Sequence, residues 1–364
     1  MSIRRVTAFE FRQPMDPPSW NPATVWRERR APLLRIEDED GAFGIGEAWC
    51  RQDEIALSFA ALERVAAAIV GADAEALSER PAPPPAGWPE AGAASAVAIA
   101  LSDLAARRSG LPLAALHGSR HGAVAAYASG GLYGPGKDAE ALAAELASYV
   151  RDGFPAVKMK IGGLDAEEDL RRVRTARAAT GDALLIVDGV ECYDRSSGAR
   201  MAARLADAGV AAFQAPILLA DLEGLAEIAR HAPIPLVLGE GAYDPTVQRR
   251  LVECGAAGWL QANPGLVGGV GGIAQLAALA REHGVPLSPQ CHATAVLQAT
   301  ALHCGTIPGV GWVEHHRVHD HLQELVPDGL RRPVAGRIAI PAAPGLGFDL
   351  PDHVRLRPVF RLPR

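Results

Sequence analysis

A repeat of short apolar strands and helical stretches runs through the middle of the chain, and it limits the possible folds more than any other feature. Eight strands of three to six residues are predicted, separated by stretches rich in alanine and leucine. Strands that alternate with helices form parallel sheets, and eight such units close a (β/α) barrel of the TIM type. The predicted strands are Val124–Tyr127, Ala156–Ile161, Ala183–Val187, Ala211–Gln214, Leu236–Leu238, Gly258–Ala262, Pro286–Ser288 and Val310–Val313.

Polar residues lie at the carboxyl ends of seven of these strands, at the end of the barrel where barrel enzymes place their active sites. Successive members of this set are 23 to 28 residues apart, which is one strand and one helix each time. The pattern therefore predicts a ring of polar side chains around one end of the barrel. Its members are Lys160, Asp188, Gln214, Glu240, Asn263, Gln290 and Glu314.

Two lysines share one face of the second predicted strand. Because alternate side chains of a strand point the same way, Lys158 and Lys160 lie together, opposite Val157, Met159 and Ile161. Lysine is seldom buried without a partner, and two neighbouring ammonium groups repel each other. We therefore expect a lysine pKa that is depressed towards neutrality, and hence a usable general base. A solvated edge strand with two surface lysines is the alternative.

The chain on either side of the repeat has a different pattern. Residues 30–47 predict a β-hairpin whose turn is Asp38–Gly41. We expect an N-terminal α+β domain over residues 1–120, the barrel over residues 121–325, and a strand-like segment over residues 326–364 that returns to the N-terminal domain.

Composition argues against several classes of function. The chain has 364 residues, 49% hydrophobic and 21% charged, and its net charge of −6 gives no reason to expect nucleic acid or an anionic membrane surface as a partner. No apolar run approaches the roughly 20 residues that cross a bilayer, and the first residues lack the apolar core of a secretory signal. Five scattered cysteines without a CxxC pair favour a reducing, cytoplasmic location.

Seven short segments occur in a characteristic order and spacing, although none is specific alone. They are Gly44–Ala48, Ala98–Leu104, Lys158–Lys160, Val187–Asp188, Gly239–Glu240, Gly268–Gly269 and Pro344–Gly347. Together they make the chain resemble the enolase superfamily, and within it the mandelate racemase/muconate lactonizing enzyme group.

The resemblance implies a modified barrel under an α+β capping domain, and a divalent metal held by three acidic residues at strand ends. The metal is usually Mg²⁺, which prefers hard oxygen ligands. Asp188 takes the first ligand position, Gln214 the second and Glu240 the third.

The resemblance also implies the chemistry, which is removal of the proton alpha to a carboxylate to give an enediolate stabilised by the metal. Lys160 takes the position of the base, and Lys158 is the neighbour that tunes its pKa and contacts the substrate carboxylate. Glu314 takes the position of an acid that hydrogen-bonds this carboxylate. Such a proton is too weakly acidic for a lysine unless a cation neutralises the developing charge.

Three positions depart from the family pattern, and each carries a neutral amide. Gln214 stands where the second acidic ligand belongs, so we expect weak or absent Mg²⁺ binding. Asn263 stands where family members carry a lysine or the aspartate of a dyad, and Gln290 stands where the dyad histidine belongs, so the face opposite Lys160 lacks its usual acid/base group. His292 shares a face with Gln290 if the segment is extended, and it is either a displaced acid/base group or an ordinary loop residue.

Loops of the capping domain are expected to close over the barrel mouth. Trp20 and Trp49 are candidates for an apolar lid that excludes water, Arg51 for a contact with a distal anionic group, and Tyr133 for the pocket wall. The histidines between positions 315 and 321 have spacings typical of metal ligands. We nevertheless expect them to lie in a solvated loop. In the alternative interpretation, part of this loop lines the rim of the pocket.

These residues favour a metal-assisted lyase or isomerase that acts on a small hydroxy, sugar or amino acid. The family resemblance implies that the protein forms homo-oligomers. Because only one face carries a base, a dehydratase that uses syn elimination is preferred over a racemase, an epimerase or a cycloisomerase. Two alternatives remain open: a metal-independent enzyme that uses Lys158, Lys160 and His292, and a degenerate barrel that binds a polar ligand without catalysis.

Overall fold

The computed structural model describes residues 1–79, 84–119, 122–291, 294–318, 332–350 and 356–363. Its strands are β1 (Ile3–Trp20), β2 (Val25–Asp38), β3 (Phe43–Glu47), β4 (Ala123–Ser129), β5 (Ala156–Lys160), β6 (Leu184–Asp188), β7 (Ala212–Gln214), β8 (Leu236–Leu238), β9 (Trp259–Ala262), β10 (Leu287–Pro289), β11 (Val313–His316), β12 (Arg337–Ala339) and β13 (Leu356–Leu362). Its α-helices are α1 (Ile55–Ile69), α2 (Ala74–Glu79), α3 (Trp88–Arg108), α4 (Leu113–Leu116), α5 (Ala139–Arg151), α6 (Ala166–Ala179), α7 (Arg195–Asp207), α8 (Leu222–His231), α9 (Pro245–Glu253), α10 (Gly269–Glu282) and α11 (Ala295–Cys304).

Strands β4 to β11 form the barrel that the repeat predicts. They are parallel and follow one another in the order β10-β9-β8-β7-β6-β5-β4-β11, and a bridge between Leu287 and Val310 brings the two ends of this sheet together. The result is a nearly closed barrel of eight strands, so the predicted fold class is confirmed.

Strand alternation sorts the barrel side chains into two sets. Val157 and Met159 of β5 point outwards and are buried in the large core between the strands and the surrounding helices. Ala156 of β5 and Ile186 of β6 belong to a small apolar cluster with Tyr127, on the barrel interior. The interior positions above this cluster are therefore open to polar side chains.

Five consecutive barrel helices begin with an aspartate that acts as an N-cap. In α5 to α9 the side chain of this aspartate accepts a hydrogen bond from a backbone N–H of the first turn. Each such cap stabilises its helix by about 1 kcal/mol. The capping residues are Asp138, Asp165, Asp194, Asp221 and Asp244.

The N-terminal domain is an antiparallel sheet covered by helices. Its strand order is β13-β1-β2-β3, so the C-terminal strand completes a sheet that the N-terminal residues begin, as predicted. Helix α3 crosses β3 so closely that a Cβ at Gly44 or Gly46 would collide with the carbonyl oxygens of Ala100 and Ala96. These two positions therefore require glycine. Strand β12 pairs with β4, so this part of the C-terminal segment adds to the barrel.

The last barrel strand differs from its prediction. Residues 310–313 were predicted, whereas β11 begins at Val313 and extends to His316. Glu314 therefore lies within the strand, and the two residues after it, which were expected in a loop, also lie in the strand and pair with β4. No helix of the described part of the chain is both long and apolar enough to cross a membrane.

Candidate active site

The two lysines of β5 lie inside the barrel. Strand β5 is flanked by β4 and β6, and the exposed fraction is 0% for Lys158 and 8% for Lys160. The alternative of a solvated edge strand is therefore wrong. The chain contains three lysines in all, so two of the three face the barrel interior.

Carboxylates surround these ammonium groups. Lys158 Nζ lies 2.7 Å from Glu314 Oε1 and 3.7 Å from Asp188 Oδ2, and Lys160 forms an ion pair with Asp188. Burial lowers the pKa of Lys158, but the charges of Glu314, Asp188 and Glu240 outweigh burial and raise it above its usual value. The predicted depression of a lysine pKa is thus wrong for Lys158, because the repulsion argument left out the carboxylates around its ammonium group.

The two strand-end carboxyl groups next to the lysines have opposite pKa shifts. Burial raises the pKa of Asp188, but Lys160 and Lys158 outweigh burial and hold it below its usual value. Burial raises the pKa of Glu240 to about 7, although the same lysines oppose this. Of these two carboxyl groups, Glu240 is therefore the one whose negative charge is less compensated.

The three amides that depart from the family pattern form one hydrogen-bonded chain with Glu240. Gln214 accepts from Lys158 Nζ at 2.9 Å and donates to Glu240 Oε2 at 2.6 Å. Gln290 donates to Glu240 Oε1 at 3.0 Å and accepts from the side chain of Asn263. The structure therefore brings together the predicted residues from β5 to β10, and the amides act there as donors and acceptors.

The donor set at the ends of β6, β7 and β8 fits a hard cation. Asp188 and Glu240 contribute carboxylates and Gln214 contributes an amide oxygen, which are the oxygen ligands that Mg²⁺ prefers. Together with Glu314, three carboxyl groups face two lysines, so the site has negative charge left for a cation. No group of three or more histidine, cysteine, aspartate or glutamate residues suited to a metal occurs among the described residues, and Gln214 is the neutral member of this donor set.

Sequence reasoning missed two side chains below Lys158. Gln261 donates to Glu314 Oε2 at 3.1 Å and to the hydroxyl of Tyr127 at 2.9 Å, and this hydroxyl lies 3.3 Å from Glu314 Oε2. These bonds fix the carboxylate that binds Lys158. The signal was present for Gln261, because it lies two residues before Asn263 and so faces the same side of β9.

Two histidines of β11 are buried, which corrects the expectation of a solvated loop. His315 packs its ring 5.5 Å from that of Phe154, on the side of the strand that faces the helices. His316 has the opposite orientation, shared with Glu314, and its exposed fraction is 3%. His292 and the histidines at positions 319 and 321 lie outside the described residues.

Trp20 and Tyr133 join the capping domain to the barrel. Their rings stack with centroids 4.3 Å apart, and their backbones exchange two hydrogen bonds of 2.9 Å. The Tyr133 hydroxyl donates to Asp169, which also accepts from the backbone of Gly162, two residues after Lys160. Tyr133 is therefore buried in a contact between domains, and its hydroxyl is engaged there.

Trp49 and Arg51 lie at a different loop of the barrel. The backbone N–H of Trp49 donates to the carbonyl of Gly265 at 3.0 Å, and its ring meets Trp88 edge-on at 5.7 Å. Arg51 is exposed and forms an ion pair of 3.5 Å with Glu54. Trp20 and Trp49 thus contact separate barrel loops.

Comparison with protein families identifies both parts of the chain. Residues 3–118 match the N-terminal domain of the mandelate racemase/muconate lactonizing enzymes, and residues 141–354 match the enolase C-terminal domain-like family. The second match alone spans more than half of the chain. The protein belongs to the mandelate racemase/muconate lactonizing enzyme family.

Relatives within this family are lyases and isomerases. The chain is 29% identical to arabinonate dehydratase of Saccharolobus solfataricus (71% of this chain, 70% of the relative) and 31% identical to D-galactarolactone cycloisomerase of Agrobacterium fabrum (71% of each). It is 30% identical to L-talarate/galactarate dehydratase of Salmonella typhimurium, where the match covers 72% of this chain but only 64% of the relative.

Solved structures of family members share the fold along nearly the whole chain. A mandelate racemase/muconate lactonizing enzyme-like protein from Rubrobacter xylanophilus superposes with a TM-score of 0.83 at 28% identity and covers 96% of this chain and 97% of its own. L-talarate dehydratase from Polaromonas sp. JS666, complexed with Mg and L-glucarate, superposes with a TM-score of 0.84 and covers 99% and 98%. At 24% identity the second likeness concerns the fold alone.

Proposed function

We propose that this protein is a dehydratase that removes the proton alpha to the carboxylate of a sugar acid and expels water from the neighbouring carbon. One observation carries the proposal: Lys158 and Lys160 lie on β5, whereas β9 and β10 are followed by the amides of Asn263 and Gln290. Amides form hydrogen bonds but carry no titratable proton at neutral pH. Syn elimination needs a base on one face of the substrate only, whereas racemisation needs an acid/base group on each face. A site with lysines on one side and amides on the other therefore suits syn elimination better.

Lys160 is the proposed base because a substrate can reach it. It retains 8% exposure at the barrel mouth, whereas Lys158 is fully buried and held by Glu314. The relatives named for arabinonate and for talarate and galactarate suggest aldonic and aldaric acids as the substrate class.

In the proposed reaction the ammonium group of Lys158 stays paired with Glu314 and contributes a positive charge below the substrate. Lys160 takes the alpha proton, the electron pair of the C–H bond becomes a carbon–carbon double bond, and the C–O bond of the neighbouring hydroxyl breaks. This hydroxyl leaves as water once it gains a proton, and the enol product rearranges to a keto acid. Held by Asp188, Gln214 and Glu240, Mg²⁺ would neutralise the negative charge that develops on the substrate carboxylate.

Proton exchange in D₂O tests this proposal. The protein is incubated with Mg²⁺ and with arabinonate, galactarate or talarate, and NMR follows the loss of the alpha proton signal and the appearance of keto acid. Lys160→Ala should lower exchange at least about 100-fold, since general base catalysis contributes about 10²–10⁴. Lys137→Ala is the matched control, because this third lysine lies outside β5 and pairs with Glu145 of helix α5.

Two results would contradict the proposal. Exchange that persists in Lys160→Ala would exclude this lysine as the base. Absence of both exchange and keto acid with the natural protein across aldonic and aldaric acids would exclude a sugar acid dehydratase.

A further inference from the structure

His316 lies in the same interior row as one of the two lysines. Residue Ser129 of β4 pairs with His316 on β11 and with Lys158 on β5, so the three side chains occupy one level of three adjacent strands. In the level below, the paired residues Tyr127 and Glu314 meet inside the barrel. Strand alternation therefore directs His316 and Ser129 into the interior as well.

The small Ser129 side chain separates the imidazole from the lysines. Neighbouring strands are about 4.8 Å apart, so β11 and β5 lie roughly 10 Å from each other and long side chains can approach above a serine. The Ser129 hydroxyl is buried and has no hydrogen-bond partner among the residues that the structure describes. A buried hydroxyl without a partner is costly, which points to a polar ligand at this place.

Positive charges face the imidazole from two domains. Burial lowers the pKa of His316 well below its usual value, and Lys160, Lys158 and the buried Arg29 of β2 lower it further. The ring is therefore neutral at physiological pH. A neutral imidazole has one nitrogen that donates a proton and one that accepts a proton.

We propose that His316 relays the abstracted proton from Lys160 to the leaving hydroxyl of the substrate. This proposal rests on the proposed dehydratase function. The alpha proton moves to Lys160, the ammonium group passes a proton to the unprotonated ring nitrogen, and the other ring nitrogen gives its proton to the hydroxyl as the C–O bond breaks. Water leaves, Lys160 is neutral again and His316 ends as its other tautomer, so no proton is gained or lost by the protein.

The relay explains how the leaving group gains a proton on the lysine side of the site. Asn263 and Gln290 occupy the other side, where the Asn263 amide donates to Gln290 and the Gln290 amide donates to Glu240. His316 instead shares its level with Lys158 and lies one level below Lys160. Proton removal and proton delivery then occur on one face, as syn elimination requires.

The test compares His316→Gln with His315→Gln. The acid is the one that the natural protein processes best among arabinonate, galactarate and talarate, and both exchange of the alpha proton and release of keto acid are measured in D₂O. In His316→Gln the ratio of exchange to keto acid release should rise about 100-fold, because Lys160 still removes the proton while water loss slows. His315→Gln changes the neighbouring residue on the outer face and should leave this ratio unchanged.

Each other outcome has a definite meaning. If exchange and keto acid release fall in parallel in a His316→Gln protein that unfolds at the same temperature as the natural protein, or if neither changes, the relay is wrong while the dehydratase function stands. If the natural protein shows neither exchange nor keto acid release, the proposed function is wrong and the relay with it. Because exchange itself requires a folded site, His316→Gln reports its own folding, and His316→Asn repeats the comparison with a shorter side chain.

Discussion

Gln214 occupies the position between Asp188 and Glu240, and its amide accepts from Lys158 while it donates to Glu240. A glutamate could accept from Lys158 but could not donate to Glu240 unless it were protonated. Glutamine in place of glutamate at position 214 therefore removes a negative charge and adds a hydrogen bond to the neighbouring ligand position, Glu240. Its consequence should appear in cation affinity.

We predict that Gln214→Glu binds Mg²⁺ at least about tenfold more tightly than the natural protein, which is about 1.4 kcal/mol of binding free energy. The added carboxylate supplies a third charged oxygen donor where the natural chain has a neutral one. Calorimetric titration of the metal-stripped proteins measures the difference.

Asp188→Asn is the converse control, because it keeps the shape of the site and removes one charge. It should weaken Mg²⁺ binding. Equal affinities of the natural protein and Gln214→Glu would mean that position 214 does not ligate the cation.

At the scale of elements, the first turn of α11 is capped from the other domain. Glu47, the last residue of β3, accepts from the backbone N–H groups of Thr294 at 3.1 Å and of Leu297 at 3.2 Å, and from the Thr294 hydroxyl at 2.6 Å. These donors favour the carboxylate, but burial outweighs them and raises the pKa of Glu47 to about 7. The cap that joins the domains therefore gains protons on folding.

The free energy of unfolding should consequently fall as the pH rises from 4.5, the ordinary pKa of a glutamate, to about 7. Over this interval the folded state binds more protons at Glu47 than the unfolded state does. Each unit of pKa shift corresponds to about 1.36 kcal/mol, so this group accounts for a loss of about 3 kcal/mol.

Glu47→Gln should lack this part of the pH dependence, so its unfolding free energy relative to the natural protein should increase between about pH 5 and about pH 8. Denaturant unfolding at the two pH values measures it. Glu39→Gln, in the exposed turn between β2 and β3, should keep the slope of the natural protein. An identical slope in Glu47→Gln would refute the argument.

At the scale of the whole molecule, the two ends of the chain meet in one sheet. Strand β13 pairs with β1 from Val6 to Phe11, and Phe360 and Leu362 pack against the apolar core of the capping domain. The capping domain therefore depends on residues that follow the entire barrel. Loss of this strand would also leave β1 as an open edge.

We predict that Phe360→Ala lowers the free energy of unfolding by about 1–3 kcal/mol, because it removes a partly buried ring from this core. Val359→Ala is the matched control on the same strand: Val359 is 40% exposed, so its loss should cost less than about 0.5 kcal/mol. Thermal and denaturant unfolding provide the comparison. Equal effects of the two substitutions would mean that β13 contributes only its backbone hydrogen bonds.

The sequence by itself determined the barrel, the N-terminal hairpin and the ring of polar residues at strand ends. These features follow from two local periodicities. Side chains in a strand alternate with a period of two residues, and one strand–helix unit recurs every 23 to 28 residues. Together these periods place Lys160, Asp188, Gln214 and Glu240 at one end of the sheet. The composition of the C-terminal segment also predicted that this segment returns to the N-terminal domain.

Only the tertiary structure decided what these residues face. Strand β11 begins three residues later than predicted, so His316 is an interior strand residue and not a loop residue. A short apolar run does not define the bounds of a strand to within three residues. Part of the rise in the pKa of Lys158 comes from Glu314, and the cap on α11 comes from Glu47. Each of these residues lies more than 150 residues from its partner along the chain. Charge and burial act through space, and local sequence carries no record of such distances.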